Sequence, residues 1–374
     1  MGLFYRLFVR PALKLQDSEK AHLRSLKALR LSAHFFITRF ILKGLYNPHR
    51  DLGIQQFGLH FNNPFGVAAG MDKSAHALLG WSTLGVGFTE IGGITEHQQD
   101  GNLKPRMFRL DAQQVLINRM GFNNIGSDAM AKHLSNKASK RNLHHQPLWA
   151  NIGKSKITEL SEAKRDYATT IERLWPHVDV FVINVSSPNT PQLRELQDES
   201  HLLDLLEYCE KRNQSMAEKF AGQRKPMLVK VAPDLNRTEL EDILTTLMKA
   251  NFDGIVLCNS TTSRPSPNNS KEEKVLREEG GLSGRYLHDK SVEMISHAYK
   301  FTKGNLPIVG VGGIMNSQDA IRSIRAGASL IQGYSSFVFS GPSIVKHIVR
   351  GVESEMKKEN ITHYHELVGR DHGF

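Results

Sequence analysis

Eight short apolar runs decide the fold: FGVAAG (65–70), FTEIGG (88–93), LWANIG (148–153), VFVINVS (180–186), MLVKVA (227–232), GIVLCN (254–259), PIVGVGG (307–313) and LIQGYS (330–335). Each has the length of a buried strand. Stretches with helical character separate most of them, at 161–175, 200–220, 237–250 and 317–326. Near-continuous apolar strands alternating with helices predict a parallel sheet whose outer face is covered. Eight such units predict an α/β fold of the closed (β/α)8, or TIM barrel, type. The alternative is a doubly wound dinucleotide-binding sheet. It lacks its fingerprint, because GVGGIM has no final glycine of a GxGxxG.

The polar residues within these runs are in phase. Asp72 and Lys73, Gly92 and Gly93, Asn151, Asn184, Lys230, Asn259, Gly312 and Gly313, then Tyr334 and Ser335 all fall at the carboxyl-terminal end of a run. Barrel active sites form on that face. Glycine-rich EGGLSG (279–284), GVGGI (310–314) and YSSF (334–337) lie in the last third, where barrels bind phosphate through backbone N–H groups. A phosphorylated cofactor or substrate is therefore expected there. Two insertions interrupt the pattern. Residues 94–147 contain apolar runs suited to a short hairpin, and 261–281 is polar and reads as a mobile, solvated loop.

Working outward, the remaining composition is that of a globular protein: 374 residues, 40% hydrophobic and 23% charged, which excludes a fibrous or disordered chain. Two cysteines cannot build a disulfide framework and fit a reducing compartment. Of the formal net charge of +10, eight units fall in residues 1–50, which carry ten Lys and Arg against Asp17 and Glu19. A nucleic-acid enzyme would spread such charge along its body, so no nucleic-acid partner is expected.

The basic end is also amphipathic. Leu3, Phe4, Leu7 and Phe8 interleave with Arg6 and Arg10, and Pro11 should break or kink a first helix. After Asp17 and Ser18, Leu23, Leu26, Arg30, Ala33 and Ile37 run at helical spacing, widened by Leu29, Phe36 and Phe40. Two amphipathic helices lying on an anionic membrane face are one expectation, and a helical cap on the main domain is the other. No apolar run reaches the ~20 residues of a membrane span. Three regions follow: a helical extension (1–45), the barrel (46–355) and a polar carboxyl-terminal tail (356–374).

Chemistry by a Ser nucleophile lacks support, because there is no GxSxG elbow. The 17 histidines show no HExxH, and no CxxC occurs, so His144, His145, His363 and His365 read as surface residues and no metal is expected. The loop NVSSPNTPQLRELQ (184–197) instead offers amides and hydroxyls suited to a planar polar ring, stiffened by Pro188 and Pro191. Lys73 and Lys230, each at a strand end, are suited to holding anions.

With these residues in view, the chain resembles the dihydroorotate dehydrogenases, specifically the membrane-associated, quinone-reducing class 2. The matching blocks are AAGMDK (68–73), KPRMFRL (104–110), NRMGFNN (118–124), NIGK (151–154), NVSSPNTPQLRELQ (184–197), VKVAPDL (229–235), GGLSG (280–284), GVGGI (310–314) and YSSF (334–337). The resemblance implies an FMN-containing barrel that oxidises dihydroorotate to orotate in pyrimidine synthesis and passes electrons to a membrane quinone. It implies Ser187 as the catalytic base. Lys73, Asn118, Arg119, Met120, Gly121, Phe122, Asn184, Asn189, Asn259 and Ser260 would surround the substrate. Ala69, Gly70, Met71, Asp72, Lys73, Asn151, Asn184, Lys230, Gly284, Gly313, Tyr334 and Ser335 would hold FMN. Gly93 and Cys258 stand where the family usually has Thr beside the flavin. The resemblance further implies peripheral attachment to the cytoplasmic face of a bacterial-type inner membrane, with the helical pair admitting quinone; the oligomeric state stays open, a monomer being favoured.

Three alternatives stand beside this reading. The soluble class 1 enzymes, which use fumarate or NAD, usually carry Cys in place of Ser187 and lack the extension. An RNA-modifying flavin barrel would place its charge elsewhere and needs a catalytic cysteine that is not evident. A non-catalytic FMN scaffold would have no use for the base and amide set.

Overall fold

The computed structural model describes residues 5–136, 146–189 and 193–373. Leu3, Phe4, His144, His145 and Pro191 lie outside the described residues. The barrel strands are β1 (Phe65–Val67), β2 (Thr89–Ile94), β3 (Leu148–Ile152), β4 (Val180–Asn184), β5 (Met227–Lys230), β6 (Gly254–Leu257), β7 (Ile308–Val311) and β8 (Ala328–Gly333). Each pairs in parallel with its sequence neighbours, and β8 closes on β1. Every residue of β1 to β7 is buried, which is why these runs are apolar throughout rather than alternating.

The helices between the strands follow the periodicity closely: Ala163–Leu174, Glu199–Lys219, Arg237–Lys249 and Ser317–Arg325. The third starts at a capping box, with Asn236 and Glu239 satisfying each other's backbone N–H groups. At the amino-terminal end of the barrel, a hairpin (Ile54–Gln56 with Leu59–Phe61) packs Phe57 and Phe61 edge-on against Trp149. Phe88 stacks on the same indole with ring centroids 4.2 Å apart. The fully buried Phe61 and Phe88 side chains each contribute roughly 1.5–3 kcal/mol by leaving water.

Both insertions build structure at the other end of the barrel. Met107–Leu110 and Val115–Asn118 form the expected hairpin, and Gly281–Gly284 joins it as a third antiparallel strand. Residues 261–281 depart from the expected mobile loop. They contain the helix Ser270–Leu276, and the Arg264 guanidinium donates to the carbonyls of Leu276, Glu278 and Gly280. One side chain thus anchors backbone whose sequence is polar enough to read as solvated.

The amino-terminal extension also differs from a simple pair. A single π-helical turn (Tyr5–Val9) leads into α1 (Arg10–Lys14), followed by α2 (Ser18–His34) and α3 (Phe36–Tyr46). Pro11 sits in the first turn of α1, where a missing N–H costs nothing, so it does not break the helix. Asp17 caps α2 by accepting from the Lys20 N–H at 3.0 Å. The buried Glu19 of α2 meets Arg106 in a two-pronged ion pair at 2.7 and 3.1 Å, pinning the extension to the inserted hairpin. The carboxyl-terminal segment is likewise anchored. Helix Ser343–Lys358 crosses the expected boundary, Tyr364 donates to the Ser329 carbonyl at 3.1 Å, and Leu367 is fully buried.

Candidate active site

At the carboxyl-terminal ends of the strands lies one cavity to which all eight strands or their following loops contribute. Its floor is a buried polar layer. Glu90 of β2 is wholly inaccessible and accepts from Asn151 Nδ2 at 2.6 Å and from Gln332 Nε2. Lys230 Nζ stands 3.7 Å from the same carboxylate. A buried ammonium needs such a partner. From Asn151 the chain of bonds continues outward. Asn184 donates to Asn151 at 2.9 Å, Ser186 to Asn184 at 2.8 Å, and Asn259 to Ser186 at 2.9 Å. These bonds tie together β2, β3, β4, β8 and the loop after β6, so the amides are held in fixed orientations.

One wall carries Lys73, whose ammonium donates to Asn123 Oδ1. Burial, and after it the nearby Arg106 charge, push its pKa down to about 7. An anion placed against it would favour its charged form. The opposite wall carries Ser187, 6% exposed, whose Oγ accepts the Asn189 N–H at 3.3 Å. Asn189 in turn donates to the Asn118 carbonyl at 3.2 Å, tying the loop after β4 to the inserted sheet. Met120, Gly121 and Phe122 close the roof.

The cavity suits a flat ring with a phosphate. The buried Gln332 Oε1 has no hydrogen-bond partner and lies in the wall, an acceptor awaiting a ring N–H. At Gly313 the backbone takes φ +65, and a Cβ there would stand 2.7 Å from the His288 nitrogen, so only glycine leaves this loop open to a phosphate. At Gly93 a Cβ would stand 2.6 Å from the Phe122 ring. The absence of a hydroxyl side chain there is thus matched by an aromatic ring filling its place. Cys258 lines the cavity as well, and burial pushes its thiol up to about 12, far from a thiolate.

Of the residues singled out from sequence, Ala69, Gly70, Lys73, Gly93, Asn118, Met120, Gly121, Phe122, Asn151, Asn184, Ser187, Asn189, Lys230, Cys258, Asn259, Ser260, Gly313, Tyr334 and Ser335 line this cavity. Four do not. Arg119 points away, bonded to Glu278 at 2.7 Å and to the Pro105 carbonyl. Asp72 is turned inward to hold the turn before the next helix, accepting from the His76 and Ala77 N–H groups at 2.7 Å and from the Trp81 indole. Gly284 lies behind Gly313, and Met71 faces a second cavity. Glu90, Gln332, Asn123 and Ser283 were not singled out. A lone acid inside FTEIGG and a lone amide inside LIQGYS are the signals that mark the first two.

The second cavity, of about 600 Å3, lies between α2, α3 and the barrel. Its wall is mostly apolar, including Leu26, Leu29, Met71, Phe337 and Val338. Tyr334 belongs to both cavities and separates them. His22 of α2 stacks parallel to that ring, with centroids 6.4 Å apart. Burial, and then the Lys73 charge, push the His22 pKa down to about 4, which keeps it neutral at physiological pH.

Comparison with known proteins agrees with this geometry. A family model described as dihydroorotate dehydrogenase matches residues 52–356. A Gloeobacter violaceus protein named dihydroorotate dehydrogenase (quinone) is 40% identical over 365 residues, covering 98% of both chains. A Deinococcus deserti protein of the same name is 39% identical, covering 98% of this chain and 99% of its own. Among solved structures, a dihydroorotate dehydrogenase from Eimeria tenella in complex with ferulenol superposes with a TM-score of 0.82 at 33% identity, covering 90% of this chain and 96% of that one. The match runs through the barrel and the loops that wall the cavity, and the full-length relatives extend it over the helical extension: the chain belongs to the dihydroorotate dehydrogenase family.

Proposed function

We propose that this protein oxidises (S)-dihydroorotate to orotate with FMN as its cofactor and a membrane quinone as electron acceptor, in the synthesis of pyrimidines. The observation that carries the quinone reading is the shared wall at Tyr334. An apolar tunnel ends against the pocket suited to a flavin, so a hydrophobic acceptor can approach the ring without entering the substrate site.

When bound, FMN would supply the hydride acceptor for the substrate and the two-electron carrier to quinone. Lys230, Gln332, Asn151 and the Gly312–Gly313 loop, all lining the cavity, would hold it. The chain's own residues do the rest. Asn118, Asn184, Asn189 and Asn259 present donors and acceptors to the amide edges of the substrate ring. Lys73 pairs with anionic charge and stabilises the negative charge that accumulates beside it as hydride leaves C6. Ser187 Oγ takes the proton from C5, which is acidified by the adjacent carbonyl, as its own hydroxyl proton is passed on to water. The Asn189 N–H directed at Oγ favours its anionic form. Fixed orientation of base and substrate lowers the barrier by several kcal/mol.

Peripheral attachment to the cytoplasmic membrane face fits α3. It buries no residue and exposes Phe36, Ile37, Phe40, Ile41 and Leu45. Such a contiguous apolar surface on a basic segment suits the membrane interface. Among the described residues no helix is long and apolar enough to cross a membrane.

The acceptor test is steady-state dihydroorotate turnover with a quinone, fumarate and NAD offered separately. Turnover with quinone at least a hundredfold faster than with the other two is the expected result. A preference for fumarate or NAD would overturn the quinone reading.

A further inference from the structure

A second groove opens on the other side of α3, at the amino-terminal end of the barrel. It has a volume of about 430 Å3. Three cations line it, Arg39, Lys43 and Arg50, and no Asp or Glu among the described residues does. Arg50 has a carboxylate partner, Glu353, at 3.0 Å. Arg39 and Lys43 have none among the described residues. Unpaired cations sharing a concave, acid-free site concentrate positive potential and attract an anion.

Two further observations narrow the ligand. Phe36, Arg39, Phe40 and Lys43 follow helical spacing, so the groove-lining face of α3 carries large apolar groups beside the charges. Phe36 and Phe40 are also 73% and 72% exposed, continuous with the apolar surface of α3. Across the groove, Gln146 donates through Nε2 to Thr89 Oγ1 at 2.8 Å, while its Oε1 is buried without a partner. That oxygen calls for a donor, and in a site of cations an anionic ligand carrying a hydroxyl supplies one.

We propose that this groove binds an anionic phospholipid headgroup bearing a free hydroxyl, of the phosphoglycerol kind. The phosphate pairs with Arg39 and Lys43, the glycerol hydroxyl donates to Gln146, and the acyl chains leave past Phe36 and Phe40. An acidic protein partner is a poorer occupant, because the charges border an exposed apolar strip rather than a polar rim. The inference rests on the membrane reading above for the source of the headgroup. It goes beyond that reading by giving attachment a lipid-selective site at the amino-terminal end of the barrel, sharing no lining residue with the reaction pocket.

The test uses the full chain with its flavin. Binding is measured at physiological salt to neutral phosphatidylcholine vesicles, to vesicles containing phosphatidylglycerol, and to dihexanoyl-phosphatidylglycerol kept below micelle formation. sn-Glycerol 3-phosphate and inorganic phosphate serve as soluble controls. Arg39→Gln/Lys43→Gln should weaken binding to the phosphatidylglycerol vesicles by about tenfold or more. Lys20→Gln/Lys27→Gln removes the same charge from the exposed side of α2 and should weaken it by less than about threefold. Neither pair should change binding to neutral vesicles. Monomeric short-chain phosphatidylglycerol should bind wild type and fail to bind the Arg39/Lys43 variant, while the two soluble phosphates bind weakly.

Equal losses for the two pairs would overturn the site in favour of diffuse electrostatics. So would soluble phosphates that bind as well as the lipid. Vesicle binding by wild type that ignores composition would overturn the site and leave the membrane reading standing. Capture of the short-chain lipid without binding to any vesicle would support the site and overturn the membrane reading.

Discussion

Ser187→Ala retains its flavin and loses its reaction. Substrate reduction of the flavin, followed in a single turnover, is expected to slow by about a hundred- to ten-thousand-fold, the range that a positioned proton acceptor contributes. The fold should be indifferent. Ser187 accepts one backbone N–H, from Asn189, and the loop keeps its separate anchor from Asn189 to the Asn118 carbonyl. Orotate affinity should change by less than about threefold, since removing a group that acts chiefly on the moving proton costs the transition state and spares the ground state. Ser187→Cys offers a more acidic base in the same place and should recover part of the rate at higher pH. Wild-type-like reduction in Ser187→Ala would remove the residue from the role of base.

The second large effect lies beneath the cavity. Glu90 accepts from both Asn151 and Gln332 and faces Lys230, with no access to solvent. Glu90→Gln keeps the volume but replaces one acceptor oxygen by a donor, which must then meet a donor. It also strips Lys230 of its counter-charge. Breaking a buried pair by removing one partner costs about 3–5 kcal/mol. The expected result is a fall of several degrees in the thermal midpoint together with weakened FMN retention, read by the flavin released on dilution. Glu90→Gln/Lys230→Met should recover much of the stability and none of the flavin affinity. That separates the electrostatic cost from the binding role through the double-mutant cycle. A single variant as stable as wild type would show that the ammonium is held by other means.

The barrel was legible because burial on both faces makes each strand a continuous apolar run, and polar residues at a fixed end of every run mark the functional face. Residues whose side-chain direction follows from strand alternation were harder to read. Asn118 ends an inserted strand and faces the cavity, so its neighbour Arg119 is carried to the other side, onto Glu278. Asp72 sits within the AAGMDK block beside Lys73, yet its carboxylate is taken by the turn before the next helix and by the Trp81 indole. Glu90 was passed over because an acid in a buried strand reads as an interruption until Lys230, from a strand three places along the barrel, is seen opposite it. In 261–281 the polarity was read correctly and its consequence was not, because a guanidinium reaching three carbonyls leaves no periodic trace in the sequence.

The helical extension shows the same limit. Its amphipathic spacing fits a membrane face and a packed cap equally well. In the structure α2 turns Leu26 and Ala33 inward, whereas α3 has no fully buried residue. The break at Phe35, with extended backbone between the helices, lets one continuous periodic stretch serve two surfaces.

The proposed reaction requires a hydroxyl, an ammonium and a set of fixed amides to meet over one flavin. Its most direct test is to mix the purified protein with dihydroorotate in the absence of oxygen and of any acceptor, following the visible flavin band. The band should bleach at a rate matching turnover, with one orotate formed per flavin, and recover on adding quinone. A colourless folded protein, or a flavin that stays oxidised in excess dihydroorotate, would contradict the account.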